Sequence, residues 1–156
     1  MRLSVFSPPA RASTTADELC AVARDLKVSD KDIWLGNRAT EAVIKRLSDA
    51  GELAKYRIIH FATHGALAGQ VGGNSEPGLI LTPPQTATEG DDGYLSASEI
   101  TTLKLDADWV ILSACNTAAG SAEGAEALSG LARAFTRARA PSSCRTGRSP
   151  RMRPSS

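Results

Sequence analysis

Tyr56-Arg57-Ile58-Ile59-His60-Phe61-Ala62 and Trp109-Val110-Ile111-Leu112-Ser113-Ala114 are the two stretches whose reading decides the fold. In both, apolar residues follow one another instead of alternating with polar ones. Continuous apolar strands suit a parallel sheet covered by helices on both faces, because neither face is left to water. Working outward, Leu3–Phe6 reads as a short strand ended by Pro8-Pro9, and Asp32–Leu35 as another stopped by Gly36. Helical spacing groups Leu19, Val22, Ala23 and Leu26 on one face of residues 16–26. It also groups Val43, Ile44 and Leu47 on the inner face of residues 40–47, with Thr40 as N-cap. Ser96-Ala97-Ser98-Glu99 has the spacing of a capping box opening a helix through Ile100 and Leu103. A further helix is expected over residues 123–137. Residues 65–94 hold seven of the 13 glycines and three of the 8 prolines. Loop is therefore expected over most of that stretch, with Leu79–Leu81 as one short strand. Alternating strands and helices predict an α/β sandwich with a mostly parallel sheet.

The chain has 156 residues, 42% of them hydrophobic, enough for one domain with its own core. Two Trp, two Tyr and three Phe make that core mainly aliphatic. Lys and Arg number 18 against 17 Asp and Glu, which gives no reason to expect nucleic acid or an anionic membrane as partner. Composition breaks near the end: residues 141–156 contain four arginines, no acid, and only Cys144 and Met152 among apolar side chains. Without them the net charge moves from +1 to −3. The expected organisation is thus a domain over 1–140 and a disordered basic tail over 141–156. That tail lacks the interleaved aromatics of a single-strand nucleic-acid arm. Cys20, Cys115 and Cys144 lie far apart, without disulfide-scaffold or zinc-knuckle spacing, which favours a reduced, cytoplasmic setting.

Two reactive side chains stand at equivalent places, His64 just after the first strand and Cys115 just after the second. In open parallel sheets the functional crevice lies beyond the carboxyl ends of the strands. If the two strands are neighbours, ~4.8 Å apart, both side chains emerge on one rim. A thiol there can act as nucleophile with the imidazole as its proton partner. Gly65, directly after the histidine, lets the backbone come close, so its N–H and that of Cys115 are candidate oxyanion donors. His60 sits inside the strand and reads as a structural or supporting residue. His60 and His64 would share a metal only on a helix; on a strand they stand ~13 Å apart. Ser113 is not in a Gly-x-Ser-x-Gly elbow, and Gly72-Gly73-Asn74 has no Lys-Ser/Thr after it to make a phosphate loop.

The string Tyr56-Arg57-Ile58-Ile59-His60-Phe61-Ala62-Thr63-His64-Gly65 resembles the histidine block of the CHAT domain family, and Trp109–Thr117 its cysteine block. Residues 75–81, 93–100 and 123–135 are similar to further blocks, so the likeness spans about Ala16 to Ala138. CHAT domains are caspase-like cysteine peptidase domains, often joined to tetratricopeptide repeats. The resemblance implies a caspase-like three-layer α/β/α sandwich, here incomplete at both ends. It also implies His64 as catalytic base and Cys115 as nucleophile, a peptide or protein substrate, no cofactor and no metal. Tetratricopeptide regions would be partners within the intact protein. The alternative within the family is an interaction module that keeps the scaffold without the chemistry.

The abrupt break after about Ala138 suggests a tail translated out of frame. Back-translating from Ala140 with GC-rich codons and dropping two bases permits a valine-rich strand followed by a Trp-Pro turn, as the family has there. On that reading the chain as written is marginally stable and inactive. Sequencing the DNA around codon 138 checks it: an intact frame through the tail removes the expectation.

Overall fold

The computed structural model describes residues 3–7, 21, 24–25, 27–88, 90–113 and 122–138, with the backbone alone over 122–128. Four parallel strands form the main sheet: β1 (Leu3–Ser7), β2 (Ile33–Leu35), β3 (Ile58–Phe61) and β7 (Trp109–Leu112), in the order β2-β1-β3-β7. The two deciding stretches are therefore adjacent, parallel strands. Each is shorter than its apolar run, though the ladder reaches one residue further: Ala62 donates its N–H to the Phe6 carbonyl at 2.8 Å, and Ser113 to the Phe61 carbonyl at 2.9 Å.

Three short antiparallel strands make a second sheet, β4 (His64–Ala66), β5 (Gly78–Ile80) and β6 (Tyr94–Ser96), in the order β4-β5-β6. This corrects the expectation that residues 65–94 hold one short strand in a long loop. His64 also opens a strand of its own. The correction has a steric reason at Gly78, where a Cβ would stand 2.5 Å from the Tyr94 ring and 2.8 Å from the Leu95 carbonyl. Here glycine marks a place where two strands and an aromatic ring approach too closely for a side chain, not a turn. Gly78→Ala is accordingly expected to destabilise the fold by about 2 kcal/mol, read in a denaturant titration.

Helices pack on one face of the main sheet: α1 (Glu41–Asp49), α2 (Ala97–Thr102) and α3 (Ala122–Ala138). Thr40 caps α1, its hydroxyl accepting from the Val43 N–H at 3.2 Å. The Ser96/Glu99 capping box forms at α2. Of the helix expected over 16–26, Ala21, Arg24 and Asp25 are described and are helical; Leu19, Val22, Ala23 and Leu26 lie outside the described residues.

Register fixes which residues share a face. Phe6, Phe61 and Leu112 form one row and Ile59 and Val110 another, both facing the helices. Phe6 stacks on Phe61, and Phe135 meets Phe61 at a tilt, with centroids 5.3 and 5.4 Å apart. On the opposite face the rows are Leu3–Ile58–Trp109 and Val5–His60–Ile111. Leu3 and Val5 are buried with Val28 and Ile33 against them. Burial then falls off across the sheet, and Trp109 is 68% and Ile111 43% exposed. Among the described residues the second face of β1 is covered by Val28 and Ile33 and not by a helix, and β7 is left open there, so helices are seen on one face of the sheet.

A buried ionic clamp ties α1 to the second sheet. The Glu41 carboxylate, 1% exposed, accepts the N–H groups of Asp92 and Gly93, both at 3.0 Å. Lys45 reaches Glu41 at 2.5 Å, Glu99 at 2.7 Å and the Gly90 carbonyl at 2.8 Å.

Candidate active site

Strands β3 and β7 pair so that Phe61 stands opposite Leu112. His64 is three residues past Phe61, and position 115 three residues past Leu112. Phe61 and Leu112 are the last residues of their strands, so β3 and β7 end level with one another, and His64 follows directly beyond that end. Cys115 and Ala114 lie outside the described residues, and Ser113 is the last described residue at that strand end.

His64 is held through its backbone. Thr63 before it is buried, and its hydroxyl donates to the Ile80 carbonyl. His64 itself stands in register with Ile80, and Gly65 with Leu79. The imidazole is exposed and the glycine half-buried. The small sheet therefore turns the chain at the end of β3 and presents His64 to solvent instead of letting it continue along the main sheet.

His60 lies one row inside this rim, and here the structure adds what sequence reasoning missed. Its Nε2 stands 2.7 Å from the Ser113 Oγ. Burial lowers the His60 imidazole from its ordinary histidine pKa, which favours the neutral form. The signal was available in the strand alignment. His60 is in register with Ile111, and on a parallel pair the residue two further along β7, Ser113, is the diagonal neighbour on the same face.

Among the described residues no group of three or more His, Cys, Asp and Glu side chains stands close enough together to hold a metal ion. No helix among them is long and apolar enough to cross a membrane.

A strand-end histidine, a second strand-end block at the same offset and a parallel sheet under both are what the sequence motifs require. A family model described as the CHAT domain matches residues 2–146. The chain belongs to the CHAT family. The match is wider than the likeness read from the motifs, which starts near Ala16 and stops near Ala138. It takes in β1, a central strand of the sheet, and runs into the basic segment. Neither the curated proteins nor the solved structures contain a match to this CHAT domain.

Proposed function

We propose that this CHAT domain is built for peptide-bond hydrolysis by a Cys115/His64 dyad. The observation that carries the reading is the register of β3 on β7, which supports a shared rim for positions 64 and 115. In this mechanism the Cys115 thiolate attacks the carbonyl carbon of the scissile peptide. A carbon–sulfur bond forms as the carbonyl π pair moves onto oxygen. The Gly65 and Cys115 N–H groups meet that oxyanion. Collapse breaks the carbon–nitrogen bond, and the His64 imidazolium gives its proton to the departing amine. Water, deprotonated by the now neutral His64, then attacks the thioester, releasing the acid and restoring the thiolate. The substrate class is a peptide or protein.

A second reading, an interaction module without chemistry, is supported by one observation: the exposed Trp109 and Ile111 on the outer face of β7. One experiment separates the two. An electrophilic peptide ketone is incubated with wild type, Cys115→Ser and His64→Ala, and the modified residue is mapped by mass spectrometry. The peptidase reading expects a single adduct on Cys115, lost in Cys115→Ser and slowed at least about a hundredfold in His64→Ala. Equal labelling with and without His64 would leave the interaction module as the function.

A further inference from the structure

We propose that His60 and Ser113 form a positioning pair that fixes the chain segment carrying the nucleophile. The inference rests on the peptidase reading for its catalytic meaning, but its structural half stands without it.

Ser113 is held twice. Its N–H is bonded to the Phe61 carbonyl at 2.9 Å, and its hydroxyl meets His60 Nε2 at 2.7 Å. The backbone bond extends the β3–β7 ladder by one residue; the side-chain bond pins the last described residue at that strand end. Beyond it the sequence is Ala114-Cys115-Asn116-Thr117-Ala118-Ala119-Gly120. Three alanines and a glycine offer little side chain to pack, so in this proposal Ser113 is the anchor for the chain that carries Cys115. A misplacement of ~1 Å at a reacting atom costs ~10²-fold, which makes an anchor two residues upstream worth having.

The histidine suits this task better than a hydrolase role of its own. In its neutral form it has one bare ring nitrogen, and with Nε2 bare the serine hydroxyl donates to it. Its neighbours across the sheet are apolar, Val5 on one side and Ile111 on the other. Among the described residues no carboxylate is hydrogen-bonded to it, so it lacks the orienting acid of a Ser-His-Asp triad. His60 is thus a positioning residue acting through Ser113, and Ser113 acts through the chain it begins.

The test compares wild type with His60→Leu, Ser113→Ala, the double variant and His60→Gln, whose amide can reach the place of Nε2. Amide hydrogen exchange over residues 113–120 reads the anchor without any chemistry. It should speed up about tenfold in His60→Leu, Ser113→Ala and the double variant alike, and return to near the wild-type rate in His60→Gln, while α1 and β1 stay unchanged. Labelling of Cys115 by the peptide ketone should fall about tenfold in the same three variants, with the double no worse than either single. Alkylation by iodoacetamide, which demands little orientation, should change less than about twofold. His64-dependent labelling with unchanged exchange and unchanged rates in Ser113→Ala would overturn the positioning pair and leave the dyad standing. Altered exchange with labelling indifferent to His64 would keep the anchor and remove the peptidase reading. Modification of Ser113 by a fluorophosphonate would also overturn it, because the pair would then itself be nucleophile and base.

Discussion

Cys115→Ala is expected to abolish peptide cleavage by any cleavage-competent chain carrying this domain. In the proposed mechanism it is the thiolate that makes the covalent bond. His64→Ala should reduce kcat/KM by about 10²–10⁴-fold, because both the thiolate and the protonation of the leaving amine depend on the imidazole. Combining the two should cost no more than Cys115→Ala alone, since groups that act as one unit lose their effect together. Steady-state hydrolysis of a fluorogenic peptide measures all three. Cleavage surviving in Cys115→Ala would make the cysteine a structural residue.

The largest effect on stability is expected from Lys45→Met. Burial pushes the Glu41 carboxyl above the ordinary glutamate value of 4.5, with Lys45 and the Gly93 N–H working in the opposite direction. At Glu99 burial also works upward, but the hydrogen bonds from Lys45 and Ser96 outweigh it and hold that carboxyl below 4.5. Removing the ammonium leaves a carboxylate that is 1% exposed without its counter-charge. A fully buried pair broken this way loses about 3–5 kcal/mol; Lys45 is 28% exposed, so water recovers part, and about 2–3 kcal/mol at neutral pH is expected. That corresponds to a fall in Tm of about 5–10 °C.

The pH dependence follows from the two directions. A carboxyl with a raised folded pKa binds more protons folded than unfolded, so stability declines as pH rises through the window above 4.5. Lys45→Met raises Glu41 further and makes that decline steeper. Glu99, lowered, contributes stability present above 4.5 and lost as pH falls below it, and the variant loses much of that contribution too. The gap between wild type and Lys45→Met should therefore be widest near neutrality and close as pH falls toward and below 4.5. Thermal melts from pH 4 to pH 8 check this; a gap independent of pH would mean that Lys45 acts only through its aliphatic stem.

Much of this was legible in the sequence, and the parts that were not share a physical cause. The paired strands announced themselves because Ile58, Ile59, Phe61 and Val110, Ile111, Leu112 put apolar residues on both faces of each strand. Thr40 and the Ser96/Glu99 box carry their roles in their own hydroxyl and carboxylate chemistry, which depends on a span of four residues. What escaped depends on distant contacts. Strands of three residues are too short to show a period, and Gly78 reads as a turn until the Tyr94 ring is placed beside it. Glu41 lies in the first turn of a helix, yet it is buried. Only the loop bringing the N–H groups of residues 92 and 93, some fifty positions away, explains its burial. The continuous run of β7 likewise implied cover on both faces, whereas Trp109 and Ile111 are exposed. At the rim, matching the two blocks position by position put His64 just past the end of β3, where it lies, while Cys115 falls outside the described residues. The same matching would have paired His60 with Ser113, had the diagonal been considered along with the straight register.

The order β2-β1-β3-β7 also sets how the molecule comes into being. Leu3 pairs with Ile58, and Ile58 with Trp109, so each of these seams joins residues more than fifty positions apart. Closing a loop of that length costs about 3–4 kcal/mol of chain entropy before any contact offsets it. Folding is accordingly expected in the millisecond-to-second range typical of non-local sheets, not the microseconds of a helical bundle. Helix α1 and the capped α2, made from near neighbours, can form well ahead of either seam. The rim has no local precursor, because the ends of β3 and β7 become neighbours only when the β3–β7 seam has closed. A chain caught with its helices already in place would still lack the paired strand ends, and stopped-flow refolding that follows tryptophan fluorescence beside far-ultraviolet circular dichroism would resolve the two events in time.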